Sequence, residues 1–146
     1  MTISIDKNVL TRITKATTGL MALIVGGLIY IRYRSESLLM FDWFQGLNIS
    51  DYIARIRSTA EDSYIKGWLV YNLPAGLWLF AYLLIIDAIW GKAKNAQYMC
   101  YLHILPFLAI VSELMQCLRF LPGTFDFLDL VSYVCAILFF IIIKIV

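Results

Sequence analysis

The sequence predicts an all-α fold, an integral-membrane four-helix bundle with a short amphipathic interfacial helix in its long first loop. Three observations lead there. Apolar residues make up 62% of the 146 residues and charged residues 15%, against roughly 45–50% and 25% in soluble domains. A soluble domain of this length has too little interior to hide that much apolar surface. The apolar residues also gather in four runs, at 16–31, 67–86, 95–112 and 130–143, lengths that approach the roughly 20 residues needed to cross a hydrocarbon core as a helix. The run Ile141-Ile142-Ile143 has strand character, but a lone strand in lipid leaves its backbone groups unpaired, so the helix is preferred.

In chain order, residues 1–15 form a polar lead in which Asp6 or Asn8 caps the first helix. Lys7, Arg12 and Lys15 precede the first apolar run, and Ile31-Arg32-Tyr33-Arg34 follows it where a cleavage site would stand. The run therefore reads as a retained span over about 14–33 rather than a signal peptide. Lys15 and Arg32 lengthen it by snorkelling. Gly19, Ala22, Gly26 and Gly27 give it a small-residue face suited to close helix contact.

The long connection 32–67 carries an aromatic, apolar patch at residues 38–44 that suits a membrane interface. Ser50 reads as an N-cap. Beyond it Ile49, Ile53, Ile56, Ala60 and Tyr64 recur at helical spacing, with Arg55, Arg57, Glu61 and Asp62 off that face. Such a helix lies on the bilayer surface or packs on the bundle, and the pattern leaves both open.

The second span, about 68–90, has Trp68, Tyr71 and Trp90 as interfacial anchors. Pro74 stands early in it, so Asn72-Leu73-Pro74 marks a candidate helix start with extended residues before it. Asp87 reads as an ordinary interface residue. A short turn with Gly91, Lys92 and Lys94 makes the next span, about 95–118, an antiparallel neighbour. Pro106 is expected to kink that span. The last span covers about 126–146, and the whole chain forms one transmembrane domain, 1–146. The loop holding Lys92 and Lys94 favours a cytoplasmic N-terminus over the loop that carries only Arg119.

The chemistry concentrates between the last two spans. Glu113 and Gln116 share a helix face, and Arg119 extends it by three residues, placed to pair with Glu113. Pro122-Gly123 turns the chain. Asp126 reads as the N-cap of the last helix and Asp129 sits one turn deeper. Converging carboxylates of this kind bind a cation, act as acid and base, or hold a polar head group. No phosphate-binding glycine loop, metalloprotease helix or nucleophile elbow occurs. Cys100 and His103 alone do not make a zinc site, and Cys100, Cys117 and Cys135 read as buried free thiols. No metal or cofactor is expected, and binding is favoured over catalysis. A net charge of +2 without a basic stripe argues against nucleic acid. The expected partners are the lipid bilayer and, beyond it, further copies of the chain or a larger membrane protein. Three other readings stand beside binding: an oligomeric pore joined through the glycine face, an accessory subunit docked through residues 38–44, and an intramembrane enzyme.

The segment from Glu113 to Asp129 resembles the signature of VanZ-like membrane proteins. In that pattern Glu-x-x-Gln ends one helix, a Pro-Gly turn follows, and Asp-x-x-Asp opens the last helix. Here these are Glu113, Gln116, Pro122, Gly123, Asp126 and Asp129. The stretch Asn72-Leu73-Pro74-Ala75-Gly76-Leu77-Trp78 resembles a second pattern found in small relatives, making Asn72, Pro74 and Trp78 structural markers. Thr124 stands where the family pattern has Arg, Tyr133 where it has Asn, and Ala136 where it has Gly. The resemblance implies a bacterial inner-membrane protein of the cell envelope, linked to resistance against teicoplanin-type glycopeptides.

Overall fold

A computed structural model describes residues 6–58 and 67–145. It is helical, with no strand among the described residues. The helices are α1 (Lys7–Tyr33), α2 (Leu39–Gly46), α3 (Ser50–Ser58), α4 (Gly67–Trp90), α5 (Ala96–Cys117) and α6 (Phe127–Ile145). Helices α1, α4, α5 and α6 are long and apolar enough to cross a membrane. Ala60, Glu61, Asp62, Tyr64 and Lys66, which belong to the expected amphipathic helix and its flank, lie outside the described residues.

Local chemistry sets the ends of the helices. The Asp6 carboxylate caps α1 by accepting the Asn8 backbone N–H at 3.0 Å. Bonds from the Asn8 backbone and side chain hold the Asp6 carboxyl below its ordinary value of 3.8. A depressed carboxylate stabilises the fold above its unfolded pKa, and that stabilisation fades as pH falls through the folded value. The first turn of α1 is therefore expected to fray on acidification from pH 5 to pH 2.5. The Asn8 amide resonance should report it, and Asp6→Ala should remove the pH dependence. Asn95 caps α5 in the same manner, accepting from the Tyr98 N–H.

At its C-terminus α5 closes with a Schellman pair. The Phe120 N–H bonds the Met115 carbonyl at 2.9 Å and the Arg119 N–H bonds that of Gln116 at 3.0 Å. Helix α2 ends the same way, through Asn48 at φ 55°, with Ile49 N–H bonded to Phe44 O and Asn48 N–H to Gln45 O.

Helix α4 is the middle of the bundle. It packs along α1 on one side and α6 on the other, and it also touches α5, which packs on α6 in turn. Over its most apolar 18 residues it buries 44%, against 17% in α1 and α5 and 11% in α6. The core joins Leu79, Leu83 and Leu84 of α4 to Tyr98 and Leu102 of α5 and Ala136 and Phe140 of α6. Large apolar side chains on the outer faces, such as Met21, Phe107 and Phe139, stay exposed, as a hydrocarbon surround permits. Without a hydrophobic drive between helices in lipid, close packing is what joins them. Gly19 and Gly26 are buried where α1 crosses α4, and Gly76 lies against the Ser132 backbone of α6.

Several expectations are corrected. Helix α4 already begins at Gly67, with Pro74 inside it and fully buried. The residues before Pro74 are helical and not extended. A proline loosens the hydrogen bonds of the preceding turn, and Arg34 donates to the Tyr71 carbonyl there at 3.2 Å. Ser50 is the first helical residue and not the cap, since the Ile53 N–H bonds the Ile49 carbonyl. Arg57 points inward. It donates to the Ile31 and Arg34 carbonyls at 2.6 and 2.9 Å, pairs with Glu36, and lies over the Phe41 ring. Helix α3 is thereby tied to the end of α1, with Ile53 and Phe41 buried. The three cysteines are free, as expected, but exposed on the outside of the bundle.

Candidate functional site

The alternating directions of the four spans bring two polar clusters to opposite ends of the bundle. At the end formed by the starts of α4 and α6 and the close of α5, Asn72 of α4 is buried. Its Nδ2 donates to Asp126 Oδ2 at 2.8 Å and to Asp129 Oδ1 at 2.9 Å. Both amide hydrogens are spent on these carboxylates, which fixes the amide orientation. The other amide atom, Asn72 Oδ1, is buried and has no partner among the described residues. Glu113 of α5 is buried as well and accepts from the Asp126 backbone N–H at 3.4 Å. Asp126 also caps α6 as expected, taking the Leu128 N–H at 2.9 Å.

These groups line a cleft of about 420 Å³ together with Gln116, Thr124, Arg34 and Tyr71. The Gln116 carboxamide lies against the turn at Gly123, where a Cβ would approach it to 2.9 Å, and the φ of 135° there favours glycine. Pro122 is exposed in that turn. The cleft adjoins an apolar groove of about 330 Å³, and the two share Arg34, Tyr71 and Asp129. Trp78, Leu79 and Leu105 line the groove deeper into the bundle.

The structure brings together four residues of the expected cluster, Glu113, Gln116, Asp126 and Asp129, adds Asn72, expected only as a structural marker, and leaves Arg119 outside. Arg119 is exposed, has a φ of 61°, and forms no ion pair with Glu113. The helix stops at Cys117, so the face that Glu113 and Gln116 share does not reach Arg119. Among the described residues Arg34 is the cation of the cleft in its place. Its guanidinium lies over the Tyr30 and Tyr71 rings at 5.2 and 5.1 Å, and its buried Nε has no partner among those residues. A second proline-associated residue, Trp78, stacks on Tyr30 with ring centroids 5.1 Å apart. Sequence spacing has no means to find Arg34, which lies 38 residues from Asn72 along the chain. A basic pair closing an apolar run, Arg32 and Arg34, is its only local signal.

At the other end Asp87, read from sequence as an ordinary interface residue, is 3% exposed and the hub of a second network. It accepts from Lys15 at 2.7 Å, from Lys94, and from the Tyr98 hydroxyl at 2.6 Å. Lys144 reaches the Tyr98 oxygen at 3.3 Å. Arg12 donates to the Ala88 and Ile89 carbonyls at 2.8 and 3.0 Å and closes the end of α4.

Among the described residues no group of His, Cys, Asp and Glu is placed to hold a metal. His103 is exposed and bonds the Met99 carbonyl of its own helix at 2.8 Å. No protein-family model, curated protein or solved structure matches the chain. Its class is that of an all-helical protein with four helices able to span a membrane.

Proposed function

We propose that the chain is a VanZ-like protein of the bacterial inner membrane that binds an envelope amphiphile, with its polar head in the Asn72–Glu113–Asp129 cleft. The observation that carries this reading is the buried, unpartnered Asn72 Oδ1 beside three carboxylates. A site so rich in acceptors is completed by a ligand with hydrogen-bond donors, hydroxyl or ammonium, because an unmet buried acceptor costs about 1–3 kcal/mol. Arg34 adds a cation for a phosphate or carboxylate on the same head group. The adjoining groove past Trp78 and Leu79 suits the apolar chain of such a molecule. We read the site as one for binding, since its acceptors and cation match the groups of a polar head.

The N-terminus lies in the cytoplasm in this reading, so the cleft opens on the outer face, where envelope precursors and teicoplanin-type glycopeptides are met. Further copies of the chain or a larger membrane protein remain partners to be tested. Of the small-residue face Gly19, Ala22, Gly26 and Gly27 considered for a pore, Gly19 and Gly26 pack against α4 and Gly27 is open.

Glu113→Gln, Asp129→Asn and Asn72→Leu are expected to lower the amount of amphiphile that copurifies with the chain about tenfold or more, the range of a hydrogen bond to a charged group. Mass spectrometry of the extracted lipid reads the effect. Insertion and melting temperature of Glu113→Gln and Asp129→Asn should stay near wild type. In a susceptible host, the same variants should abolish any gain in teicoplanin tolerance. Three variants that all retain a full lipid complement would sink the proposal.

A further inference from the structure

The opposite end of the bundle carries a pocket that the amphiphile cleft does not use. About 320 Å³ in volume, it is lined by Arg12, Lys15, Lys92, Lys94 and Lys144 together with Asp87. Among the described residues five cations line it with one carboxylate, leaving an excess of four positive charges. The Asp6 carboxylate is close by, near enough to feel Lys92. Asp87 already holds Lys15 and Lys94, and Arg12 is spent on the α4 carbonyls. Among the described residues the Lys92 ammonium has no bonded partner, and that of Lys144 has the Tyr98 oxygen and aromatic faces.

Next to this pocket, and sharing Arg12 with it, an apolar groove of about 310 Å³ runs between α1 and α4 along Val9, Ile13, Ala16, Ile85 and Ile89. The cationic pocket and the apolar groove meet at the rim of the membrane-spanning helices. That juxtaposition fits a phosphate held by lysines with a hydrocarbon chain running inward beside it. A free phosphate would leave the groove without an occupant.

We propose that Lys92 and Lys144 form a binding site for the phosphate of an anionic glycerophospholipid, whose acyl chain passes Arg12 into the Ile13–Ile85 groove. The site is separate from the proposed amphiphile cleft and does not depend on it. With the N-terminus in the cytoplasm, the anionic inner leaflet supplies the ligand.

The test titrates the full chain in neutral detergent with dihexanoyl phosphatidylglycerol, the matched phosphatidylcholine, and inorganic phosphate. Native mass spectrometry and the intrinsic fluorescence of a variant that keeps Trp90 alone of the four tryptophans serve as readouts. Phosphatidylglycerol is expected to bind at least tenfold tighter than phosphatidylcholine. Lys92→Gln and Lys144→Gln should each weaken it about fivefold, the typical worth of one basic residue near an anionic surface. Arg55→Gln, an exposed cation at the other end, should leave it unchanged. Equal binding of the two lipids overturns the site, as does an equal loss in Arg55→Gln. Inorganic phosphate that competes as strongly as phosphatidylglycerol overturns the lipid assignment. Glu113→Gln, which empties the proposed cleft, should leave the phosphatidylglycerol preference intact, so the two sites fail separately.

Discussion

Asp87→Ala is expected to destabilise the protein by about 3 kcal/mol, the low end for removing one member of a buried ion pair. Asp87 is 3% exposed, while the side chains of Lys15 and Lys94 are 19% and 39% exposed. The lysines can therefore turn partly to water when the carboxylate is gone, which keeps the loss from reaching the upper range. The Tyr98 hydroxyl, buried among Leu84 and Leu102 in the core, has no such escape and loses its acceptor. Asp87→Asn should cost less, since the amide oxygen still accepts from Tyr98. The double variant Asp87→Leu with Lys15→Leu should recover at least half of the loss, because the charge is removed with its counter-ion. Thermal unfolding in detergent micelles measures all three. A single variant within about 0.5 kcal/mol of wild type, the scatter of ordinary surface substitutions, would refute the role of Asp87 as the hub of that end.

Gly19→Leu should be the second large loss, also about 3 kcal/mol, at the top of the usual range for overpacking. A Cβ on Gly19 would meet the Ala81 carbonyl oxygen at 3.0 Å and Ile85 Cγ1 at 2.9 Å. The carbonyl belongs to the backbone of the central helix and cannot rotate aside, so α1 and α4 must separate. Gly26 offers a graded comparison. Its Cβ would approach Trp78 Nε1 at 2.7 Å, but a half-buried indole can turn, so Gly26→Leu should cost about 1–2 kcal/mol. Gly27 has nothing within 4 Å, and Gly27→Leu should be near neutral. Melting temperatures in the order Gly27→Leu, Gly26→Leu, Gly19→Leu, from highest to lowest, are the expected result. An order in which Gly27→Leu is the most damaging would place the α1 contact face on the wrong side of the helix.

Composition and periodicity carried most of the fold. The expected spans 14–33, 68–90, 95–118 and 126–146 match the long helices closely, apart from an α1 that starts at Lys7. These are local matters. Whether twenty residues can sit in hydrocarbon depends on those residues, and caps such as Asp6 and Asp126 act within one turn. The same locality made Glu113, Gln116 and Asp129 visible as a group, since they flank a single turn.

Three things needed the tertiary structure. Arg119 looked like the partner of Glu113 because i, i+3 spacing assumes a continuing helix, and the Schellman closure at Met115–Phe120 ends it first. Pro74 looked like a helix start because a proline opposes the turn before it, but packing on α1 and α6 holds that turn helical, with Arg34 bonded to the Tyr71 carbonyl. Asp87 looked unremarkable because its partners Lys15 and Tyr98 lie 72 and 11 residues away, on helices that meet it only after folding. The sequence by itself determined that there would be four apolar helices and where their polar ends fall. Which polar ends meet was decided by α4 standing between α1 and α6, because charge pairing across helices depends on their packing and antiparallel order, and neither is written in the local spacing of residues.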